Sequence, residues 1–221
     1  MLKGLIFDLD GVLADTARLH LAAWGSVAQD LGITLPAAAG DALRGRSREE
    51  SLTIVLSYGP PQDYAPAERA AFAATKNDRY RQAIAHLTPK DLLPGIPRLL
   101  AQAKASGLTM AIASASKNAP AILERLSIAA DFTGVVDPAT LHRGKPDPEI
   151  FVKAQALLGL AAREVVSFED ASAGVAAIKA AGQFAVGIGD AAVLHQADLV
   201  VPSTAALDLA AIRTAFGKSV S

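Results

Sequence analysis

The 221-residue sequence contains no cysteine. That excludes disulfides, thiolate metal sites and a cysteine nucleophile, and it is compatible with a reducing compartment. It also lacks a surplus of charge: 21 basic and 22 acidic residues leave a formal net charge of −1. No basic field points to nucleic acid, so any basic residue with a role acts singly, inside a site. No uninterrupted apolar run is long enough to span a bilayer. Lys3 and Gly4-Leu5-Ile6-Phe7 begin like a signal peptide, but Asp8 and Asp10 interrupt the run far short of a signal core. The expectation is a cytoplasmic protein, monomeric, with neither a nucleic-acid nor a membrane partner. A chain of this length forms one large domain or a domain with a smaller insert, and it buries roughly 70% of its unfolded surface. No internal repeat is visible.

What is present is a series of short apolar runs, each followed by a polar turn and a helical pattern. Leu2 to Leu9 leads through Asp10-Gly11 to a helix from about Thr16; Leu108 to Ala113 leads through Ser114-Ala115-Ser116 to a helix from about Asn118. Val165 to Phe168 leads through Glu169-Asp170 to a helix over Ser172 to Ala181, and Phe184 to Ile188 and Leu199 to Val201 read as two further strands. Strands alternating with helices predict an α/β fold with a mostly parallel, Rossmann-like sheet, whose ligands bind outside the carboxyl ends of the strands. The segment 16–87 differs. It reads as helices only: Thr16 to Leu31, Arg48 to Ser57 and Pro66 to His86, with a turn at Gly59-Pro60-Pro61. The predicted organisation is a catalytic core of residues 1–15 and 88–221 with an inserted α-helical cap domain of residues 16–87.

Four groups of residues carry chemistry at the predicted strand ends. In a strand, residues two apart share a face, so Asp8 and Asp10 are expected to point the same way. Two carboxylates so close repel as anions unless a cation joins them or one holds a proton. Both conditions suit phosphoryl transfer, with one carboxylate as nucleophile, the other as general acid/base, and Mg²⁺ on hard oxygen ligands. Ser114 ends a second strand, where its hydroxyl and the N–H groups of Ala115 and Ser116 suit phosphate oxygens; a helix-capping serine reads the same way. Lys145, in Gly144-Lys145-Pro146-Asp147-Pro148, is either an exposed loop lysine or a fixed cation for a transferring phosphoryl group. Glu169 and Asp170 end a third strand, as metal ligands or as charges at a helix start.

Taken together, these motifs resemble those of the haloacid dehalogenase superfamily, and the resemblance covers essentially the whole chain. It implies that Asp8 is phosphorylated, that Asp10 is the acid and base, and that Ser114 and Lys145 complete the catalytic set. It implies one Mg²⁺ per subunit, held by Asp8, the Asp10 carbonyl and Asp170, with Glu169 direct or through water. Within the superfamily the chain is similar to the phosphomutase branch that interconverts β-D-glucose 1-phosphate and glucose 6-phosphate, with β-glucose 1,6-bisphosphate as primer and intermediate. The residues that carry this are Thr16, His20, Trp24, Arg44, Gly45, Arg48, Lys76, Ala115, Ser116, Lys117 and Asn118, which the resemblance places around a small phosphosugar substrate. Arg48 has a planar fork suited to gripping the non-transferring phosphate, and His20 would couple cap closure to Asp10. The branch usually has lysine before the cap-loop glycine; Arg44 keeps the charge and changes the geometry. Two other readings share the core motifs: a sugar-phosphate phosphatase with water as acceptor, and a non-catalytic sugar-phosphate sensor.

Overall fold

The computed structural model describes residues 1–219. Six parallel strands form one sheet: β1 (Gly4–Phe7), β2 (Thr109–Ile112), β3 (Gly134–Val135), β4 (Val165–Glu169), β5 (Phe184–Ile188) and β6 (Leu199–Val201), in the order β3-β2-β1-β4-β5-β6. The chain winds from β1 through β2 to β3, then returns to the other side of β1 for β4. The order therefore reverses between β1 and β4, and the crevice outside their carboxyl ends is where such sheets bind ligands. The helices are α1 (Thr16–Asp30), α2 (Ala39–Leu43), α3 (Arg48–Ser57), α4 (Pro66–Ile84), α5 (Ile96–Ala105), α6 (Ala119–Arg125), α7 (Glu149–Leu158), α8 (Ser172–Ala180) and α9 (Leu209–Ser219). Among the described residues, no helix is long and apolar enough to cross a membrane.

The two-residue period of a strand divides the core. Leu5 and Phe7 pack with Met110, Phe168, Leu99 and Ile212 on one face, whereas Ile6 packs with Ala111, Phe151 and Val175 on the other. Trp24, Val27, Leu52, Val55 and Ala73 form a separate apolar cluster among α1, α3 and α4. The connections on either side of those helices are tied together. Ala14 pairs with Asp10 and with Leu92 in isolated bridges, and the Leu93 N–H donates to the Leu13 carbonyl at 2.9 Å.

Most elements follow their sequence signals. The capping box of Ser47 and Glu50 starts α3: the Ser47 hydroxyl accepts from the Glu50 N–H, and the Glu50 carboxylate accepts from the Ser47 N–H. The sequence reading leaves out α2, α5, α7, α9 and β3. Pro148, at the N-cap of α7, reads as part of the stiff loop around Lys145, yet proline also suits a helix start, as Pro97 does in the first turn of α5. β3 is two residues long, too short for any pattern.

The rings of Phe7 and Phe168 stack across β1 and β4, with centroids 4.6 Å apart and planes 5° from parallel. Both rings are fully buried. Phe168→Ala is expected to cost about 3–5 kcal/mol and to lower the melting temperature by roughly 10 °C, measured by calorimetry. A loss below about 1 kcal/mol would show that this ring pair is not what holds the two central strands together.

Candidate active site

Strand register builds the floor of the site. Phe7 pairs with Ile112 on one side and Phe168 on the other, so Asp8, Ala113 and Glu169 come level at the carboxyl edge. The Asp8 N–H still donates to the Phe168 carbonyl at 3.0 Å. One sequence expectation is corrected here. β1 stops at Phe7, so Asp8 and Asp10 do not share a strand face. The backbone instead closes on itself, with Leu13 N–H to Leu9 O at 2.9 Å and Gly11 N–H to Ala14 O at 2.9 Å. This turn, not the pleat, brings both carboxyl groups to one cavity. Gly11 makes the turn at φ +83°, and a Cβ there would lie 2.0 Å from Asp170 Oδ2, so glycine is needed for both conformation and space.

Lys145 organises the acids. Its ammonium donates to Asp8 Oδ1 at 2.8 Å and to Glu169 Oε1 at 2.6 Å, with Lys145 only 3% exposed. The loop reaches this position with a cis Lys145–Pro146 peptide. Burial alone would push the lysine toward neutrality, but Asp8 and Glu169 hold its pKa above the ordinary value. The other Glu169 oxygen accepts the N–H groups of Asp170 at 2.9 Å and Ala171 at 2.8 Å. Glu169 is fully buried, and a Cβ at Gly174 would fall 1.7 Å from its Oε1. Its carboxylate is thus already engaged, in holding Lys145 and the start of α8.

Asp8, Glu169 and Asp170 bring carboxylate oxygens within 4.8 Å of one another. Burial, then repulsion from Glu169 and Asp8, raises the Asp170 pKa to about 8. Burial likewise raises Asp8 and Glu169, with Lys145 opposing. Arg44 NH1 donates to Asp170 Oδ2 at 2.5 Å. Around Asp8, Asp10, Glu169 and Asp170, Lys145 and Arg44 supply the committed positive charges. The negative surplus and the hard oxygen donors fit a divalent cation. Arg44, expected beside the substrate, lines the cavity and also reaches the acidic cluster from the end of α2.

Asp10 is held from the helical segment. The Thr16 hydroxyl donates to Asp10 Oδ1 at 2.6 Å, and His20 Nε2 lies 3.6 Å from the same oxygen. Burial raises the Asp10 pKa, against the pull of the Thr16 hydrogen bond and Lys76. Lys76 Nζ meets His20 Nδ1 at 2.6 Å. Where Lys76 is an ammonium it only donates, and there His20 accepts through Nδ1 and carries its proton on Nε2, toward Asp10. That Nε2 is buried without a hydrogen-bond partner. Burial, then Lys76 and Arg48, pushes the His20 pKa well below its usual value, so the ring is neutral. Burial lowers Lys76 to about 7. Lys76 is 3% exposed and lies 4.5 Å over the Tyr80 ring and 5.3 Å from the Trp24 ring centre.

A cavity of about 470 Å³ joins these groups to a second set of donors, a size suited to a small ligand. Asp8, Asp10 and Lys145 line it, as do Arg48, Ser116, Lys117 and Asn118 and, with them, His20, Trp24, Arg44, Gly45, Lys76 and Ala115. Thr16, Ser114, Glu169 and Asp170 stand behind the wall. Ser114 is fully buried, and its hydroxyl accepts the Ser116 N–H at 3.1 Å, so that N–H is engaged within the loop. Trp24, 2% exposed, also belongs to the apolar cluster of α1, α3 and α4. Sequence reasoning gives no role to Ser51, which lines the cavity, although it follows Arg48 at helical spacing on α3. Asn77 and Tyr80 are missed as well. Asn77 joins Arg48 to Asn118, and Tyr80 stacks on His20 at 3.9 Å.

A family model for haloacid dehalogenase-like hydrolases matches residues 2–182. The chain belongs to this family. It is 47% identical over 209 residues to a β-phosphoglucomutase of Bacillus subtilis, covering 94% of this chain and 92% of that protein. It is 28% identical to a phosphorylated carbohydrates phosphatase of Thermotoga maritima, covering 82% of each. Among solved structures, the β-phosphoglucomutase of Clostridium difficile superposes with a TM-score of 0.96 at 37% identity, over 100% of this chain and 99% of that one.

The acidic cluster makes a pH prediction. Asp170 keeps its proton up to about 8 in the folded, metal-free protein, against 3.8 for its ordinary value. Between those values the folded state binds more protons than the unfolded state, so stability falls as pH rises. Thermal melts in chelator are expected to lose stability from pH 5 to 7 relative to Asp170→Asn, a comparison in which the opposing titrations of His20 and Lys76 cancel, and saturating divalent cation is expected to flatten that relative decline. Equal slopes with and without the cation would refute the assignment of this cluster.

Proposed function

We propose that this chain is a β-phosphoglucomutase, interconverting β-D-glucose 1-phosphate and glucose 6-phosphate through an aspartyl-phosphate enzyme and β-glucose 1,6-bisphosphate. The observation that carries this reading is the shared cavity, in which the Asp8–Asp10 pair faces the same space as the second donor set of Arg48, Lys117 and Asn118. A phosphatase needs only the first set. A mutase must hold one phosphate while the other is transferred. The 47% identity to a β-phosphoglucomutase over 94% of the chain supports the same conclusion. We read residues 16–87 as a cap, with its own apolar cluster, over a core of residues 1–15 and 88–221.

In the first half-reaction the bond between phosphorylated Asp8 and phosphorus breaks as a sugar hydroxyl attacks, and Asp10 takes the hydroxyl proton. The bisphosphate then turns over within the cavity. In the second half, Asp8 attacks the other phosphorus, and Asp10 returns its proton to the departing sugar oxygen. Burial, which raises the Asp10 pKa, suits a group that must both hold and release a proton. Lys145 balances the charge on Asp8, and Glu169 and the Asp170 N–H hold that arrangement fixed. Mg²⁺ held by Asp8 and Asp170, with the Asp10 carbonyl, would supply further charge neutralisation at the transferring phosphoryl group.

Water competes with the sugar hydroxyl, and the links to Asp10 address that. Thr16 holds it from α1, and His20 and Lys76 approach it from α1 and α4. Asp10 is aligned when these helices are seated, so substrate binding by Arg48 on α3 can govern proton transfer.

Arg48→Ala is expected to lower kcat/KM for β-glucose 1-phosphate about a hundred-fold while affecting phosphorylation of Asp8 by acetyl phosphate far less. Equal losses would remove Arg48 from the phosphate site. Asp8→Asn is expected to abolish phosphoenzyme formation from every donor, and radiolabel retained on another residue would overturn the nucleophile assignment. The function itself is tested by supplying β-glucose 1-phosphate with bisphosphate primer: glucose 6-phosphate is the expected product, and stoichiometric inorganic phosphate with free glucose would favour a phosphatase instead.

A further inference from the structure

One carboxamide oxygen lies at the meeting point of the cap and the core. Asn77, on α4, accepts from Arg48 Nη2 on α3 at 2.8 Å and from Asn118 Nδ2, after β2 in the core, at 3.0 Å. The chemistry fixes the orientation of both amides. A guanidinium has no acceptor, so the Asn77 atom facing Arg48 is oxygen, and the Asn118 atom facing that oxygen is the NH₂ group. A carbonyl oxygen has two lone pairs, and here both are used.

We propose that Asn77 is a positioning residue for the non-transferring phosphate, one that sets Arg48 and Asn118 so that their remaining N–H groups converge on it. Arg48 has five N–H donors and Asn118 has two on its amide; each gives one to Asn77 and keeps the rest. Both residues line the cavity and Asn77 does not, so Asn77 acts through them. Its neutrality matters. An aspartate would offer the same oxygen geometry, but its charge would pair with the guanidinium and repel a phosphate. An alanine would free both donors, which would then lose side-chain entropy on binding. Because the two donors come from α3 and from the core loop, the oxygen also gives the phosphate site one fixed geometry across the cap–core boundary. This proposal rests on the mutase reading, which assigns Arg48 and Asn118 to the distal phosphate.

The test is a double-mutant cycle on the full chain, reading glucose 6-phosphate binding by calorimetry and Asp8 labelling by acetyl phosphate. Asn77→Ala is expected to weaken glucose 6-phosphate binding about ten-fold, an effect at least several times larger than any change in labelling. In an Arg48→Ala background the same substitution is expected to cost clearly less, about three-fold, because only Asn118 remains for Asn77 to position. Asn77→Asp, close in shape to asparagine, is expected not to restore phosphate binding. Three results would each overturn the proposal: unchanged binding in Asn77→Ala, losses that multiply independently across the cycle, or recovery in Asn77→Asp, which would mark a merely structural contact. Conversion of β-glucose 1-phosphate by the wild-type protein is scored separately, so failure of the mutase reading is distinguishable from failure of this one.

Discussion

The carboxyl edge of the sheet depends on the Lys145 ammonium, buried between Asp8 and Glu169. Two parallel strands in register bring these carboxylates level, and without a cation between them each would be an unpaired buried charge or a protonated acid. The lysine comes from a separate loop, so the ion triad ties three distant stretches of sequence together. The fully buried Glu169 also anchors the first backbone N–H groups before α8, and Gly174 leaves the room it needs. A carboxylate held this way is fixed in place before any ligand arrives, which is what preorganised electrostatics requires.

Around that triad the charges are arranged in two layers. Lys145 serves the inner pair, whereas Asp170 is met by Arg44 from the cap loop. The outer pairing links the acidic cluster to the same helical segment that carries Thr16, His20 and Lys76 toward Asp10. Asp8 is thus held by Lys145 and the strand edge, and Asp10 from α1 and α4.

Much of this was legible in the sequence because it is local. The Ser47–Glu50 capping box sets the start of α3, and the apolar runs at Phe184 to Ile188 and Leu199 to Val201 match β5 and β6. Asp8, Asp10, Lys145, Glu169 and Asp170 stood out as polar residues at strand ends or in a stiff loop, and the structure brings them together. What was not legible is non-local. Arg44 meets Asp170 across 126 positions, and Asn77 meets Asn118 across 41; no periodicity reports such meetings. The face shared by Asp8 and Asp10 was misassigned for a different reason. An apolar run shows that a strand is present, but its last residue depends on where the backbone finds hydrogen bonds, and here the turn through Leu9, Leu13 and Ala14 takes them.

The bridges at Ala14 have a mechanical consequence. The outgoing and returning connections of the helical segment are bonded to each other at Ala14–Leu92 and Leu13–Leu93, so a displacement of one connection is carried to the other. Asp10 is bridged to the same Ala14. The Asp10 backbone is thereby tied to both crossings between the helical segment and the sheet.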